Sequence, residues 1–323
     1  MKRPTVIMDI NGKKRQITKY SAEDLEIQRA IKEITCYPLA DSTHQCAHAY
    51  VRGRSCETAK QVIEEACRYY KYYIKTDIDD FYARINRSRL AGILREILGD
   101  TLASITMKWV FCSQYGIAQG SPLSPAVSNV YLLEIDQVLD NIENSVYVRY
   151  SDDLIILTNN LPHAPLKTIL AALERCHLRI NLKKTSVGLI KEGFEFLGYH
   201  FDDKSVFISE DKVRQINAKL RQSSSASQRK AILNGWWAYC RKASLLPEIP
   251  ESVKLLLRSH KWTNALAMAK RISSKHTLRK PPIYLGGNHA RKATQMHYGN
   301  LLRAAGIAGS IVIVAFSILS ISQ

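Results

Sequence analysis

Residues 146–157 read VYVRYSDDLIIL. Asp152 and Asp153 stand side by side between two runs of β-prone apolar residues. Adjacent carboxylates buried between strands are destabilising unless a cation neutralises them. A hairpin whose tip carries the acids and binds hard divalent metal resolves the conflict. A second acidic candidate lies upstream in YYIKTDIDDFYARI, residues 72–85, where Asp77 follows the apolar run 72–74 at the point where a strand exposes it. Two such acidic positions are what two-metal phosphoryl transfer requires.

The rest of the chain narrows the class. At 323 residues and 46% hydrophobic content it has room for a sizeable core, as two domains or one with appendages, which excludes a disordered chain. The net charge of +17 points to a polyanionic partner, nucleic acid first and an anionic membrane surface second. Seven cysteines, an odd number without any CxxC pair, exclude a disulfide framework and a zinc ribbon, and fit a reducing cytosol. His44, Cys46 and His48 lack a partner cluster at ligand spacing, so structural zinc is not expected. The N-terminus has basic residues but no apolar run of signal-peptide length.

Element signals alternate along the chain. Residues 5–9 and 15–19 around Asn11-Gly12 predict a hairpin. Ser21 predicts an N-cap for a helix carrying Leu25, Ile27, Ala30, Ile31 and Ile34. Further helices are expected over 55–69, 87–98, 126–143 and 166–176, with Pro125 near the start of the third. Gly/Pro/Ser punctuation makes 116–125 a turn. Strands over 179–185 and 194–201 complete an α+β fold with helices on one face of an antiparallel sheet.

Beyond residue 205 the character changes. A Ser-rich stretch at 223–228 precedes the aromatic segment AILNGWWAYCRKA, in which Trp236 and Trp237 are expected in a core. No Asp or Glu occurs from Ser252 onward, while eleven Lys/Arg fall between Lys254 and Arg303. With Trp262, this basic region suits phosphate tracking and base stacking. Residues 304–323, AAGIAGSIVIVAFSILSISQ, carry no charge and just reach bilayer-spanning length. They read as a C-terminal anchor, with Arg291, Lys292 and Arg303 keeping the rest on the cytoplasmic side of the inner membrane. A buried or amphipathic terminal helix is the alternative.

Several motifs stand in order: GKKRQI (12–17) with Leu25 and Gln28; AHAYVRGRS (47–55); DIDDFY (77–82); QGSPLSP (119–125) with Ser128 and Asn129; YSDD (150–153); NLKKT (181–185); and FLG (196–198). In this order, over about residues 10–242, the chain resembles bacterial reverse transcriptases of the group II intron, retron and defence-associated lineages. The Asn-Ala…His and Val-Thr-Gly elements typical of retron enzymes are not found. FLG and GWWAY (235–239) look closer to group II palm and thumb. No maturase or endonuclease domain is recognised, so a domesticated enzyme, in phage defence by family analogy, is expected rather than an intron-homing one.

The resemblance implies a right-hand polymerase: fingers and palm over 1–205, a helical basic thumb over 206–285, a basic linker over 286–303 and the hydrophobic tail. It implies RNA-directed DNA synthesis on template RNA and primer from dNTPs, with two Mg²⁺ (Mn²⁺ as substitute) held by Asp77, Asp152 and Asp153. Tyr82 would pack under the incoming sugar and exclude a 2′-hydroxyl, with core packing as its plainer role. Phe81 is expected to face the core. Arg54, after Gly53, would meet triphosphate, with Arg52 a weaker candidate. Gln119 and Gly120 would lie under the nucleotide, the glycine allowing close backbone approach. Lys184 resembles the lysine that protonates departing pyrophosphate, with Lys183 the open alternative. A structured non-coding RNA is a further expected partner. Untemplated or protein-primed synthesis, and a catalytically silent RNA-binding membrane scaffold, remain alternatives.

Overall fold

The computed structural model describes residues 4–10 and 13–240. A first hairpin pairs β1 (Thr5–Ile10) with β2 (Lys13–Thr18), Val6 opposite Ile17. The expected Asn11-Gly12 turn lies outside the described residues. Ser21 then starts α1 (Ala22–Asp41) through a reciprocal cap: Asp24 N–H donates to Ser21 Oγ at 3.1 Å, and Ser21 N–H donates to Asp24 Oδ2 at 3.3 Å. Ser55 and Thr58 cap α2 (Cys56–Ala66) in the same way.

The chain continues through β3 (Tyr72–Asp77), α3 (Phe81–Arg84), α4 (Arg87–Val110), α5 (Ser124–Tyr131) and α6 (Leu133–Asp140). Next come β4 (Ser145–Tyr150), β5 (Asp153–Thr158), α7 (His163–Arg175) and β6 (Ser186–Leu189). The last elements are β7 (Phe194–Phe196), β8 (Tyr199–Phe201), β9 (Val206–Ile208), α8 (Glu210–Gln222) and α9 (Ala226–Cys240).

The central sheet is antiparallel in the order β4-β5-β3-β6. Its β5 sequence, Leu154 to Leu157, is uninterrupted hydrophobe, as in strands buried on both faces. Leu154 and Ile156 face one core with Ile31, Leu90, Val130 and Leu173, supplied by helices α1, α4, α5 and α7. Ile155 and Leu157 face a second core with Ile63 of α2 and Phe194, Tyr199 and Phe201 of a small sheet β7-β8-β9. Helices therefore do not cover one face alone, as the sequence predicts. Burying each such aliphatic side chain contributes roughly 1.5–3 kcal/mol, so the strand is held from both faces.

Other expectations need correction. The helix predicted over 87–98 resumes beyond Gly99, whose φ of 73° and ψ of 165° break it, and runs on to Val110. The stripe is re-established there by buried Ala103, Thr106 and Trp109. Residues 126–143 divide at Leu132, whose ψ of −1° interrupts the helical period. Residues 179–185 do not form a strand: Asn181 Oδ1 accepts from Lys183 N–H and closes a 3₁₀ turn, so pairing begins at Ser186. Strand β9 pairs with β8, so the small sheet runs past residue 205.

Phe81 and Trp236 are buried as expected. The side chain of Trp237, and residues 241–323 with most of the basic excess and the uncharged tail, lie outside the described residues. Among the described residues, no helix is long and apolar enough to cross a membrane.

Candidate active site

The acidic residues meet at one end of the central sheet. Asp77, the last residue of β3, lies directly opposite Asp153, the first of β5. Asp153 is also opposite Tyr150 of β4, which leaves Ser151 and Asp152 as a two-residue turn. Ser151 has a φ of 61°, a left-handed conformation suited to tight hairpin turns. The chain stays joined past the ladder, with Ile78 N–H donating to Asp152 O at 3.0 Å. Pairing across the sheet thus unites residues that are distant in sequence.

Charge crowding follows from this register. Burial, then the like charges of Asp152 and Asp77, push the Asp153 carboxyl up to about 7, with Lys184 and Lys75 opposing. Lys184 Nζ donates to Asp77 Oδ2 in a close ion pair. Asn181 N–H donates to Asp77 O at 2.7 Å, and Thr185 bonds Thr76 side chain to side chain at 2.8 Å. The 3₁₀ turn therefore carries Lys184, and not Lys183, to the aspartates. Carboxylate oxygens are the hard donors that Mg²⁺ and Mn²⁺ prefer, so the donor chemistry fits. Among the described residues, however, no three His, Cys, Asp or Glu side chains are grouped so as to hold a metal ion.

Tyr82 sits half-buried on α3, with its ring tilted against Phe81 at 5.6 Å between centroids. Burial pushes its phenol well above the ordinary range; Ser128 hydrogen-bonds it, and Tyr50 and Asp152 act on it electrostatically. Its backbone is pinned from below, where Ile117 N–H donates to Tyr82 O at 2.9 Å. Both the sugar-gate role and the packing role predicted for Tyr82 are compatible with this position.

Gln119 accepts from Thr18 N–H at 2.7 Å through its backbone oxygen, tying the QGSP turn to β2. Gly120 has a φ of 110°, and a Cβ there would stand 2.7 Å from Thr18 O. The close approach expected of this glycine is thus made to the chain's own hairpin. Arg54 turns its Nη1 onto the carbonyls of His44 at 2.6 Å and Ala47 at 2.8 Å. That one nitrogen braces the 44–47 loop, so the triphosphate role carries over only as a proposal. Arg52 Nη1 donates to Tyr37 OH at 3.2 Å.

Sequence reasoning missed Arg149 and Asp136, a fully buried ion pair beneath the hairpin. A signal existed: Arg149 shares the strand face of Tyr147 two positions away, so a charge at that place required a buried partner.

A family profile for Reverse transcriptase (RNA-dependent DNA polymerase) matches residues 2–201. Retron Ec86 reverse transcriptase of Escherichia coli is 22% identical over 154 residues, covering 46% of this chain and 48% of the relative. Retron Ec73 reverse transcriptase of the same organism is 28% identical over 167 residues, covering 45% and 51%. The chain thus spans about half the length of these curated relatives. Among solved structures, telomerase from Candida albicans in complex with a fragment of telomeric RNA superposes with a TM-score of 0.53 at 12% identity. It covers 83% of this chain and 54% of that one, a likeness of fold alone.

Proposed function

Because the chain belongs to the reverse transcriptase (RNA-dependent DNA polymerase) family, we propose that it copies RNA into DNA, adding dNTPs to a primer 3′-hydroxyl. The observation that supports this most is the register pairing of Asp77 with Asp153, with Asp152 on the adjoining turn. Asp77, Asp152 and Asp153 would hold divalent cations, Mg²⁺ by their hardness, which when bound supply charge neutralisation for in-line phosphoryl transfer. Lys184, beside Asp77, would donate a proton to the departing pyrophosphate. Tyr82 would close the floor beneath the sugar, with Gln119 and Gly120 shaping the wall that β2 supports. Arg54 would hold the 44–54 loop in the shape that meets the triphosphate.

In this reading the sheet and its helices form palm and fingers, and α8 and α9 begin the thumb. The basic residues of the thumb (206–285) and linker (286–303) would bind template, primer or a structured RNA, and 304–323 would anchor the chain to the membrane. Since matched relatives are named as retron enzymes, a retron-like, defence-associated role is part of the proposal. Primer extension on a defined RNA with Mg²⁺ tests the core claim. Product complementary to the added RNA, lost by at least ~10³-fold in Asp152→Ala, is expected, since removal of a charge-stabilising group takes away several kcal/mol. Product that ignores the template would indicate untemplated synthesis, and an active Asp152→Ala would refute the assignment. Equal partitioning of full-length protein and a version ending at Arg303 would remove the anchor.

A further inference from the structure

The YSDD turn is strained and yet bears an aspartate. Ser151 lacks the freedom of glycine but adopts a φ of 61°, a conformation that disfavours residues with a Cβ. Something must hold it. The only side chain in the hairpin that reaches its backbone among the described residues is Arg149, whose Nη1 donates to Ser151 O at 3.1 Å.

Arg149 is itself completely buried and aimed by others. Its Nε and Nη2 donate to the two oxygens of Asp136 on α6, each at 2.7 Å. Its Nη1 also donates to Asn129 Oδ1 on α5 at 2.9 Å. Asp136 is steadied by Tyr147 OH at 3.0 Å, and Asn129 Nδ2 donates to Ala49 O at 2.8 Å. Three of the nitrogens of one guanidinium thus tie two helices to the turn. Lysine offers a single nitrogen and cannot reproduce the fork.

A buried pair of this kind need not add net stability, since desolvation offsets much of the attraction. Here its geometry ends on the carbonyl adjoining Asp152. We propose that Arg149 is a positioning residue for phosphoryl transfer: with Asp136 and Asn129 it clamps the left-handed Ser151 and so sets the Asp152 carboxylate against Asp77. The proposal rests on the polymerase reading above. It adds that part of the catalytic rate resides in a guanidinium that touches neither substrate nor the reacting atoms.

The test uses the full chain in steady-state primer extension. Arg149→Lys retains the charge facing Asp136 and gives up the fork. Circular dichroism is expected to stay native, KM for dNTP to change by less than about threefold, and kcat to fall about 10²-fold, the order seen when positioning is lost. Ser151→Asn, a residue that tolerates left-handed backbone, is then introduced into the Arg149→Lys background. It is expected to recover at least about tenfold in kcat by relieving the strain that the clamp opposes. A folded Arg149→Lys with wild-type kcat overturns the proposal, as does a double variant without recovery. Failure of the wild-type chain to extend any primer would instead refute the polymerase reading itself.

Discussion

Gly116 carries the sharpest steric prediction. Its φ is 53°, and a Cβ built there would lie 1.9 Å from Tyr82 O and 2.7 Å from the carbonyl carbon of Ala83. Both obstacles are backbone, so no side chain can swing away; the two segments must separate by about an ångström to restore contact distance. They are held together by the Ile117 N–H bond to Tyr82 O at 2.9 Å, and Arg87 Nε grips Gly116 O at 2.7 Å. For Gly116→Ala, left-handed backbone costs about 1–2 kcal/mol, and breaking the Ile117 bond leaves buried polar groups at about 1–3 kcal/mol. The sum, about 2–5 kcal/mol, lowers Tm by roughly 4–20 °C in a domain of this size. Because the displaced oxygen belongs to Tyr82, selection between dNTP and rNTP should weaken as well. Thermal melts and competitive incorporation read the two effects. Gly92→Ala is the control: it is helical with nothing within 4 Å of the new Cβ, and it should be neutral or stabilising by up to ~1 kcal/mol. A Gly116→Ala chain that melts with wild type and discriminates sugars equally would refute the reasoning.

Tyr82→Val should admit ribonucleotides about tenfold more readily while leaving dNTP incorporation within several-fold, measured by competitive extension. Gly120→Ala should loosen β2 from the QGSP turn, seen as faster amide exchange at Thr18, because the new Cβ meets Thr18 O at 2.7 Å. Lys184→Met removes the cation paired with Asp77 and should lower kcat by about 10²-fold, whereas Lys183→Met should change it less than twofold. His48 is held down to about 4 by burial and then by the positive charges of Arg54 and Arg149, so the folded state resists its protonation. Stability from this group is therefore complete above pH 6.5 and is lost as pH falls from about 6.5 to about 4, by about 2–3 kcal/mol after screening. Urea melts of wild type against His48→Gln should show this slope only in wild type.

What could be read from the sequence was what is local. The Asp152-Asp153 hairpin is announced by neighbouring strand signals, and Asp77 by the end of an apolar run, so their meeting needed only correct strand pairing. Arg149 was not legible in the same way. Its place on the strand face of Tyr147 calls for a buried partner, but Asp136 sits on a helix, and no local pattern names it as that partner. Arg54 shows the reverse: guanidinium N–H groups suit phosphate and backbone carbonyls alike, and the fold turns its Nη1 on His44 and Ala47. Gly116 read only as a turn, since its contact with Tyr82 exists once α4 has folded back. The second core lies on the sheet face for which no helices were expected, and the unbroken apolar run Leu154 to Leu157 is its sequence signature, since continuity signals cover on both sides.

Strand β3 leaves the ribosome well before either of its neighbours, β5 and β6. Until synthesis reaches Asp153, Asp77 has no residue opposite it, until Lys184 it has no cation alongside, and the second edge of β3 is covered only when β6 is complete at Leu189. A half-made chain therefore holds only an incomplete acidic site. Completion of the acidic site thus waits on pairings far apart in sequence, of the kind that raise contact order and slow folding, so its assembly is timed by topology.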